Sequence, residues 1–297
     1  MKIAHINNIA GVASRLSLKQ ISRGHQSDVF VFNKTAYNQF GGIKFNYTSP
    51  FSRWKFFNLL KSYDVWHYHY PYGSLKAKLE KKSSDKVFIK HYHGSDLRGK
   101  YENDFCFVST PDLLQFAPNG VWIPTPIDID KLQTISNETE NSFDKKPLKI
   151  AHYPYYKTRD HEDNYSEALS HAKKVLGCEI VYVINLKHDD ALRIISQCDV
   201  VVGKVMPEMG WFSAFELEGM FFGKPVIAYI SNDLNEKFRP PVYQTTKSTF
   251  KQDLISLLTN PSEMTRLSNL GRPYVKEYHS VDKIADTVEK YYKLQNQ

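Results

Sequence analysis

The chain has few cysteines, no long apolar run and almost no glycine where nucleotide-binding loops usually carry it. The three cysteines, Cys106, Cys178 and Cys198, are odd in number and lack metal-ligand spacing, which favours reduced core residues over a disulfide scaffold. No segment approaches the roughly 20 apolar residues of a membrane span, and the N-terminus MKIAHINNIAGV lacks the apolar core of a signal peptide. We therefore expect a cytoplasmic protein.

Size and charge give the next bounds. A chain of 297 residues with 41% hydrophobic residues has the length for about two ordered domains. Residues 1–100 contain 17 Lys or Arg and 5 Asp or Glu, whereas the remaining 197 contain 22 and 27. This basic half indicates an anionic partner, such as a membrane surface, a phosphorylated lipid or an acidic glycan.

Strands alternate with helices along the first half. Residues 2–6 form an apolar strand, 14–22 have helical spacing, and 28–32 form a second strand, which together predict a βαβ unit. Further strands are expected at 64–69, 86–91 and 106–109, and helices at 53–62, 74–82 and 111–116. This order is typical of a parallel α/β sheet.

A proline-containing segment, 118–130, and a polar stretch, 137–146, separate this series from a second one. Its strands are expected at 148–152, 179–183, 200–202 and 225–230, with closing helices at 251–258 and 280–294. We place an N-terminal domain at 1–145, a C-terminal domain at 146–275 and a final helix at 276–297. Two such series predict two sheets and one cleft between them.

The most informative segment is GWFSAFELEGMFFGKPVIAYI, residues 210–230. It predicts a short helix that ends at a Gly-Lys-Pro turn and continues into a buried strand. Glu218 lies near the middle of this apolar helix. Because a lone buried carboxylate is costly, it requires a partner, and a ribose diol offers two hydroxyl donors.

Gly210-Trp211-Phe212, Glu218-Gly219-Met220 and Gly223-Lys224-Pro225-Val226 together resemble the donor-site signature of glycosyltransferase family 4. The commoner signature has a second Glu eight residues before the first, where this chain has Gly210. Glu208 and Glu216 are also eight residues apart. Only Glu218, however, keeps the right distance to Gly223.

The resemblance implies a fold with two Rossmann-like domains that face a cleft (GT-B) and a last helix that crosses back to the first domain. It implies retaining, metal-independent transfer of a sugar from a nucleoside-diphosphate sugar to a hydroxyl of a glycan or lipid-linked glycan. The nucleotide sugar is a co-substrate, and no further cofactor is expected. Glu218 would hold the ribose, and the sugar pocket would be lined by Trp211, Phe212, Ser213 and Ala214.

In the first domain the resemblance points to Gly11 and His93. Residues 8–12 hold a single glycine, Gly11, instead of Gly-x-Gly-x-x-Gly. In the family this loop lets the backbone approach the donor phosphate or sugar; a plain tight turn is the alternative. His93 precedes Gly94-Ser95-Asp96, which resembles a family segment whose His reaches the donor sugar. A structural histidine at a strand end is the alternative.

The segment expected to bind the pyrophosphate departs from the family. Family members carry Arg and then Lys-Gly, whereas this chain offers Lys157 and Arg159 without the Lys-Gly step. These cations can neutralise charge on the departing diphosphate. The departure leaves open a catalytically inactive homologue that binds nucleotide or glycan.

A different class of protein is also compatible with the sequence. His67-x-His69 and His91-x-His93 end two strands, and residues i and i+2 share a face, so four imidazoles and Asp96 could hold zinc in a hydrolase. That hypothesis leaves residues 210–230 unexplained. Asp128-Ile129-Asp130 resembles a metal motif of another transferase fold, but we interpret it as structural. A nucleotide-sugar epimerase, which uses the same two-domain fold, is a further alternative.

Residues 45–66 interleave Arg53, Lys55 and Lys61 with large apolar side chains that include Trp54. Cations beside aromatic rings are typical of helices that lie on anionic membranes. No nucleic-acid-binding module is recognised, so no nucleic-acid partner is expected. An ordinary amphipathic helix with a solvated basic face is the alternative.

Overall fold

The computed structural model describes residues 1–32, 40–136, 147–154 and 159–295, without the side chains of 159–164. Contacts divide the chain into two compact units. Unit 1 comprises Met1–Pro126 and His279–Gln297, and unit 2 comprises Ile127–Tyr278. The boundary expected near residue 145 lies outside the described residues. The division by contacts falls earlier because helix α4 (Ile129–Ser136) packs on helix α6 (His188–Gln197) of unit 2.

Unit 1 contains a parallel sheet in the order β3-β2-β1-β4-β5-β6-β7. Its strands are β1 (Lys2–Ile6), β2 (Gln26–Phe32), β3 (Ile43–Phe45), β4 (Val65–His69), β5 (Val87–Tyr92), β6 (Cys106–Val108) and β7 (Gly120–Trp122). Its helices before the unit boundary are α1 (Val12–Ser22), α2 (Pro50–Leu60), α3 (Gly73–Lys82) and a 3-10 helix at Pro111–Phe116. The strand order reverses between β1 and β4, which is where α/β sheets bind ligands.

Unit 2 contains a second parallel sheet, in the order β12-β11-β10-β8-β9. Its strands are β8 (Lys149–His152), β9 (Glu179–Tyr182), β10 (Val200–Val202), β11 (Val226–Ala228) and β12 (Tyr243–Gln244). The remaining helices of this unit are α5 (Arg159–Leu176), α7 (Ala214–Phe221), α8 (Asn232–Phe238), α9 (Phe250–Leu258) and α10 (Pro261–Tyr278). Here the order reverses between β8 and β10.

The last helix, α11 (Val281–Leu294), returns to unit 1, as expected from the resemblance. Its apolar face, which includes Ile284, Val288 and Tyr292, is buried in the same core cluster as Ile3 of β1. Its polar edge is tied to α1, because Arg23 pairs with Asp286 at 2.9 Å and with Glu289 at 3.3 Å. Apolar burial and ion pairs therefore both hold the C-terminal helix to the first sheet.

Helix α2 has one buried and one exposed apolar side. It begins with a capping box at Ser49 and buries Phe56, Phe57 and Leu60. Phe51 and Trp54 are 63% and 61% exposed. Among the described residues, no helix is long and apolar enough to cross a bilayer.

Candidate functional site

The loop after β1 holds Gly11 in a conformation that favours glycine. Gly11 has φ +73°, and a Cβ at this position would lie 2.8 Å from the Phe40 ring. Ser14 donates a hydrogen bond from its hydroxyl to the Phe40 carbonyl at 2.8 Å. The close approach that Gly11 permits is therefore occupied by Phe40 in this structure, and a ligand contact at Gly11 stays a prediction.

The loop after β5 is built around the carboxylate of Asp96. Its oxygens accept hydrogen bonds from the backbone N–H of His93 at 3.0 Å and of Gly94 at 2.7 Å. Burial raises the pKa of Asp96 to about 6, although these N–H groups oppose the rise. Asp96 thus fixes the backbone at His93, and the oxygens expected to meet a metal are already engaged.

His93 belongs to a group of five imidazoles on one face of the first sheet. Strand register places His5 of β1 opposite His67 of β4, and His69 opposite His91 of β5. His67–His69 and His91–His93 ring centroids are 4.2 Å and 4.4 Å apart. The prediction that the two His-x-His pairs share a face is confirmed, and His5 joins them.

One half of the group is a linear series of hydrogen bonds. Gln20 Oε1 lies 2.8 Å from His5 Nε2, and His5 Nδ1 lies 3.0 Å from His69 Nε2. His69 Nδ1 lies 3.1 Å from His93 Nε2, and His93 Nδ1 lies 2.7 Å from Ser109 Oγ. Both ring nitrogens of His93 therefore have partners within unit 1.

Ser109, directly after β6, joins the second half. Its hydroxyl oxygen lies 3.0 Å from His91 Nε2, His91 Nδ1 lies 3.1 Å from His67 Nε2, and His67 Nδ1 lies 2.5 Å from the Tyr292 hydroxyl of α11. We call the whole series the histidine chain. Its members in order are Gln20, His5, His69, His93, Ser109, His91, His67 and Tyr292.

Most of the histidine chain is buried, and burial disfavours the charged form of its imidazoles. Burial lowers the pKa of His5 to about 4 and that of His93 to about 3, and holds the pKa values of His67, His69 and His91 well below the usual value. Four of the five imidazoles are fully buried, and His93 is partly exposed. At neutral pH, His93 is thus a neutral group that can accept or donate a hydrogen bond.

The imidazoles also form two groups that could ligate an ion, namely His5, His67 and His69, and His69, His91 and His93. Each of these ten ring nitrogens already has a hydrogen-bond partner, and no carboxylate belongs to either group. A catalytic zinc ion requires a coordination position open to substrate, whereas His5, His67 and His69 are 0% exposed. The geometry fits the hydrogen-bonded chain better than a hydrolase centre.

In unit 2, the loop from β10 to α7 is held by the buried carboxylate of Glu216. Oε1 accepts a hydrogen bond from the Lys204 backbone at 2.7 Å, and Oε2 accepts from the Ser213 backbone and hydroxyl at 2.9 and 2.6 Å. Gly203 permits this approach, because a Cβ there would lie 2.6 Å from Glu216 Cγ. Glu216 therefore fixes both ends of the loop expected to line the sugar pocket.

That loop contains the other predicted donor-site residues. Trp211 and Phe212 are almost fully buried, and their rings stack with centroids 4.4 Å apart. Ser213 caps α7, and Ala214 begins it. The side chains of Trp211 and Phe212 thus build the loop, and a sugar contact at these residues stays a prediction.

Glu218 lies one turn further along α7, 5% exposed. Its Oε1 is 2.7 Å from Nε2 of His188, the first residue of α6. His188 could not be found from the sequence, because nothing in the local pattern links positions 30 residues apart. The capping role of Glu216 could have been predicted from the sequence, since Ser213-x-x-Glu216 before an apolar run is a capping-box pattern.

The structure does not describe the side chains of the two predicted pyrophosphate cations. Lys157 lies outside the described residues. Arg159 begins α5, and its side chain is likewise outside them. The preceding strand, β8, borders β10 at the point where the sheet order reverses, and α/β sheets commonly bind ligands outside the carboxyl ends of strands at such a point.

No protein-family model and no curated protein matches the chain, whereas solved structures do. A glycosyltransferase from Rickettsia africae ESF-5 aligns over 99% of this chain and 98% of its own, with a TM-score of 0.67 and 13% identity. Sucrose-phosphate synthase from Thermosynechococcus elongatus aligns over 99% of both chains, with a TM-score of 0.63 and 12% identity.

The catalytic domain of starch synthase IV from Arabidopsis thaliana, bound to ADP and acarbose, aligns over 100% of this chain and 99% of its own. The TM-score is 0.60 and the identity is 10%. At such identities the likeness establishes the fold. The chain has the α/β fold with two parallel sheets that GT-B glycosyltransferases share, as the sequence predicted.

Proposed function

We propose that the protein is a retaining glycosyltransferase that moves a sugar from a nucleoside-diphosphate sugar to a hydroxyl group of a glycan or lipid-linked glycan. The observation that carries this proposal is Glu218, a buried carboxylate beside the point where the order of the second sheet reverses. A carboxylate there can accept both hydroxyls of a ribose, and starch synthase IV, which has the same fold, binds ADP.

The proposed mechanism divides the donor between named groups. Glu218 holds the ribose, while the backbone from Phe212 to Ala214 receives the sugar or phosphate at the start of α7, where the positive end of the helix dipole favours anions. Lys157 and Arg159 supply positive charge for the diphosphate that leaves. His93 contacts the transferred sugar as a neutral group.

The acceptor hydroxyl loses its proton to the leaving phosphate, so this proposal assigns no carboxylate base and no metal ion. Transfer with retention places the acceptor on the face that the diphosphate leaves. Exclusion of water protects the donor from hydrolysis. The configuration of the product at its anomeric carbon, read by NMR, tests retention.

We further propose that unit 1 docks on an anionic membrane through α2. Phe51 and Trp54 stack with centroids 6.1 Å apart, and Lys55 lies 4.5 Å from the Phe51 ring centre. Exposed aromatic rings beside cations suit the interface between headgroups and acyl chains. Such docking would bring a lipid-linked acceptor to the enzyme.

A nucleotide screen tests the main proposal. UDP, GDP, ADP, TDP and their sugar conjugates are added to purified protein, and thermal unfolding is followed. A ligand at 100 times its Kd stabilises the protein by about 2.7 kcal/mol, which is readily seen. We expect one nucleotide to stabilise the wild type and the control Glu208→Ala, but not Glu218→Ala.

Two outcomes would contradict the proposal. If no nucleotide shifts the unfolding temperature, Glu218 does not bind a ribose. If a nucleotide binds but none of its sugar conjugates is turned over with glycan or lipid-linked acceptors, the chain is a binding protein on a transferase fold. The missing Lys-Gly step after β8 is the observation that favours this second candidate.

A further inference from the structure

The histidine chain has a direction that follows from the chemistry of neutral imidazole. Each neutral ring has one N–H donor and one lone pair, so a ring that donates at one nitrogen must accept at the other. Between directly bonded neutral rings, the proton position on one ring therefore fixes the proton position on the next, and a hydroxyl that donates its proton to one ring must accept from the other. The tautomers can be assigned from the hydrogen-bond network.

The Gln20 end sets the direction. Its carbonyl oxygen accepts a hydrogen bond from the Ser27 hydroxyl at 2.8 Å and one from His5 Nε2 at 2.8 Å. With its proton on Nε2, His5 accepts at Nδ1 from His69 Nε2–H, and His69 accepts in turn from His93 Nε2–H. The lone pair of His93 Nδ1 is thus left to accept from the Ser109 hydroxyl.

The other end agrees with this assignment. The Ser109 oxygen accepts from His91 Nε2–H, His91 Nδ1 accepts from His67 Nε2–H, and His67 Nδ1 accepts from the Tyr292 hydroxyl. Every ring donates once and accepts once. An additional proton on His5, His69 or His91 would turn an acceptor into a donor that faces another N–H, so this arrangement favours neutral rings at these positions.

A bound metal ion fits these surroundings less well. A divalent ion at His5, His67 and His69 would place two positive charges among neutral, fully buried ligands, and an uncompensated buried charge is costly. The carboxylate nearest to His93 in the sequence is Asp96, whose oxygens accept hydrogen bonds from backbone N–H groups. The negative charge of Glu289, on α11, helps to raise the pKa of the Tyr292 hydroxyl.

We propose that Ser109 and Tyr292 are positioning residues for His93, which the histidine chain holds neutral, with its proton on Nε2 and the Nδ1 lone pair offered to a hydroxyl of the transferred sugar. The sugar hydroxyl takes the place of the Ser109 hydroxyl. A lone pair attracts a hydroxyl and repels a carboxylate, so this contact selects a sugar with a hydroxyl, and not a carboxylate, at the position that meets His93. The sugar contact rests on the proposed function, whereas the tautomer does not.

Nitrogen NMR of protein labelled with ¹⁵N-histidine tests the tautomer directly, because protonated and unprotonated ring nitrogens resonate far apart. Five histidines, assigned by single His→Gln variants, should carry the proton on Nε2 and stay unchanged between pH 5 and 8. Ser109→Ala should move the His93 Nδ1 and His91 Nε2 resonances, and Ser109→Thr, which keeps a hydroxyl, should restore them. Tyr292→Phe, which keeps the ring, should move His67 Nδ1.

Three results would overturn the proposal: a proton on His93 Nδ1, titration of His93 between pH 5 and 8, or unchanged resonances in Ser109→Ala. A stoichiometric metal ion in the purified protein, measured by elemental analysis, would overturn it as well. These readouts need no substrate, so they stand even if no nucleotide sugar is turned over and the proposed function fails.

Kinetics test the sugar contact. In Ser109→Ala, the sugar hydroxyl no longer has to displace the Ser109 hydroxyl from His93 Nδ1. The KM for the nucleotide sugar should therefore fall by about fivefold, which is the effect of one neutral hydrogen bond. The kcat should also fall, because the His93 ring is less well held. Ser109→Thr should keep both values. A role in folding alone would not lower KM, and a KM that rises or stays the same in Ser109→Ala contradicts the exchange.

Discussion

At the carboxyl end of its sheet, unit 1 holds five imidazoles, four of them fully buried, whereas unit 2 buries the carboxylates of Glu216 and Glu218. The imidazoles bond mainly to one another and carry no charge, because burial lowers their pKa values. Glu216 is stabilised by donors from the loop that it holds, and Glu218 by His188 on a neighbouring helix. The two units therefore satisfy buried polar groups in different ways, and they should respond differently to acid and to substitution.

A fall in pH should produce the largest difference in stability between the two units. Six described histidines of unit 1 have lowered pKa values, namely His5, His67, His69, His91, His93 and His279, whereas among the described residues of unit 2 this holds for His152. Below an unfolded pKa near ~6.5, each takes up a proton on unfolding, so the free energy of unfolding falls as pH falls. This loss begins near the unfolded pKa and grows toward pH 5.

Urea unfolding at pH 7 and pH 5 measures this difference. Trp211 is the only one of the four tryptophans that lies in unit 2, so fluorescence of Trp211→Phe reports on unit 1 and circular dichroism reports on both. We expect unit 1 to lose several kcal/mol and to unfold first at pH 5. Equal losses in both units would mean that the histidine chain binds protons in the folded state.

Glu216→Gln should have the next largest effect, a loss of about 2–4 kcal/mol in unit 2. The substituted amide presents an N–H₂ group to the Ser213 donors and leaves them unsatisfied. Chemical denaturation measures the loss. Glu208→Gln, an exposed carboxylate in the same loop, is the matched control and should stay within about 0.5 kcal/mol; a similar loss in both variants would contradict the role of Glu216.

His188→Ala should have a smaller effect, confined to ligand binding. Without the 2.7 Å contact, Glu218 is less well oriented, and the Kd for the nucleotide found in the screen should rise by about fivefold to tenfold. Calorimetric titration measures it, with His171→Ala in the same unit as control. An unchanged Kd would mean that the ribose displaces His188 without cost.

Substitutions on the exposed face of α2 should have the smallest effect on folding stability and should instead weaken membrane binding. Trp54→Ala with Lys55→Ala should abolish binding to anionic liposomes and leave the unfolding temperature unchanged, because Trp54 is 61% exposed. Leu270→Ala with Lys276→Ala, on an exposed part of unit 2, should bind as the wild type does. If the wild type ignores anionic liposomes in sedimentation, the docking proposal is wrong.

Much of the fold could be predicted where apolar runs ended at turn-forming residues. Residues 2–6 and 200–202 were predicted as strands with the bounds the structure shows. Strands β7 and β12 were missed because they have three and two residues and lie partly exposed. Helix α10 was missed because Pro273 and Gly271 interrupt its pattern, and Gly271 is needed where α10 meets α7, since a Cβ would lie 2.5 Å from the Met220 carbonyl.

The candidate site was predictable only in its local parts. The segment 210–230 and the two His-x-His pairs are contiguous patterns, and the structure places them near the carboxyl ends of strands in the two sheets. Gln20, Ser109, Tyr292 and His188 could not be found, since their contacts depend on strand register and helix packing between distant positions. His67 and Tyr292, for example, are 225 residues apart.

The return of α11 to unit 1 also affects how the protein folds during its synthesis on the ribosome. Unit 1 begins with the first residue, but its last piece emerges only after the whole of unit 2. At about 5–20 residues per second, the roughly 150 residues between Pro126 and His279 delay it by about 8–30 s. Until then His67 lacks Tyr292 and the first sheet has an uncovered apolar face. The half of the molecule that is made first is therefore completed last.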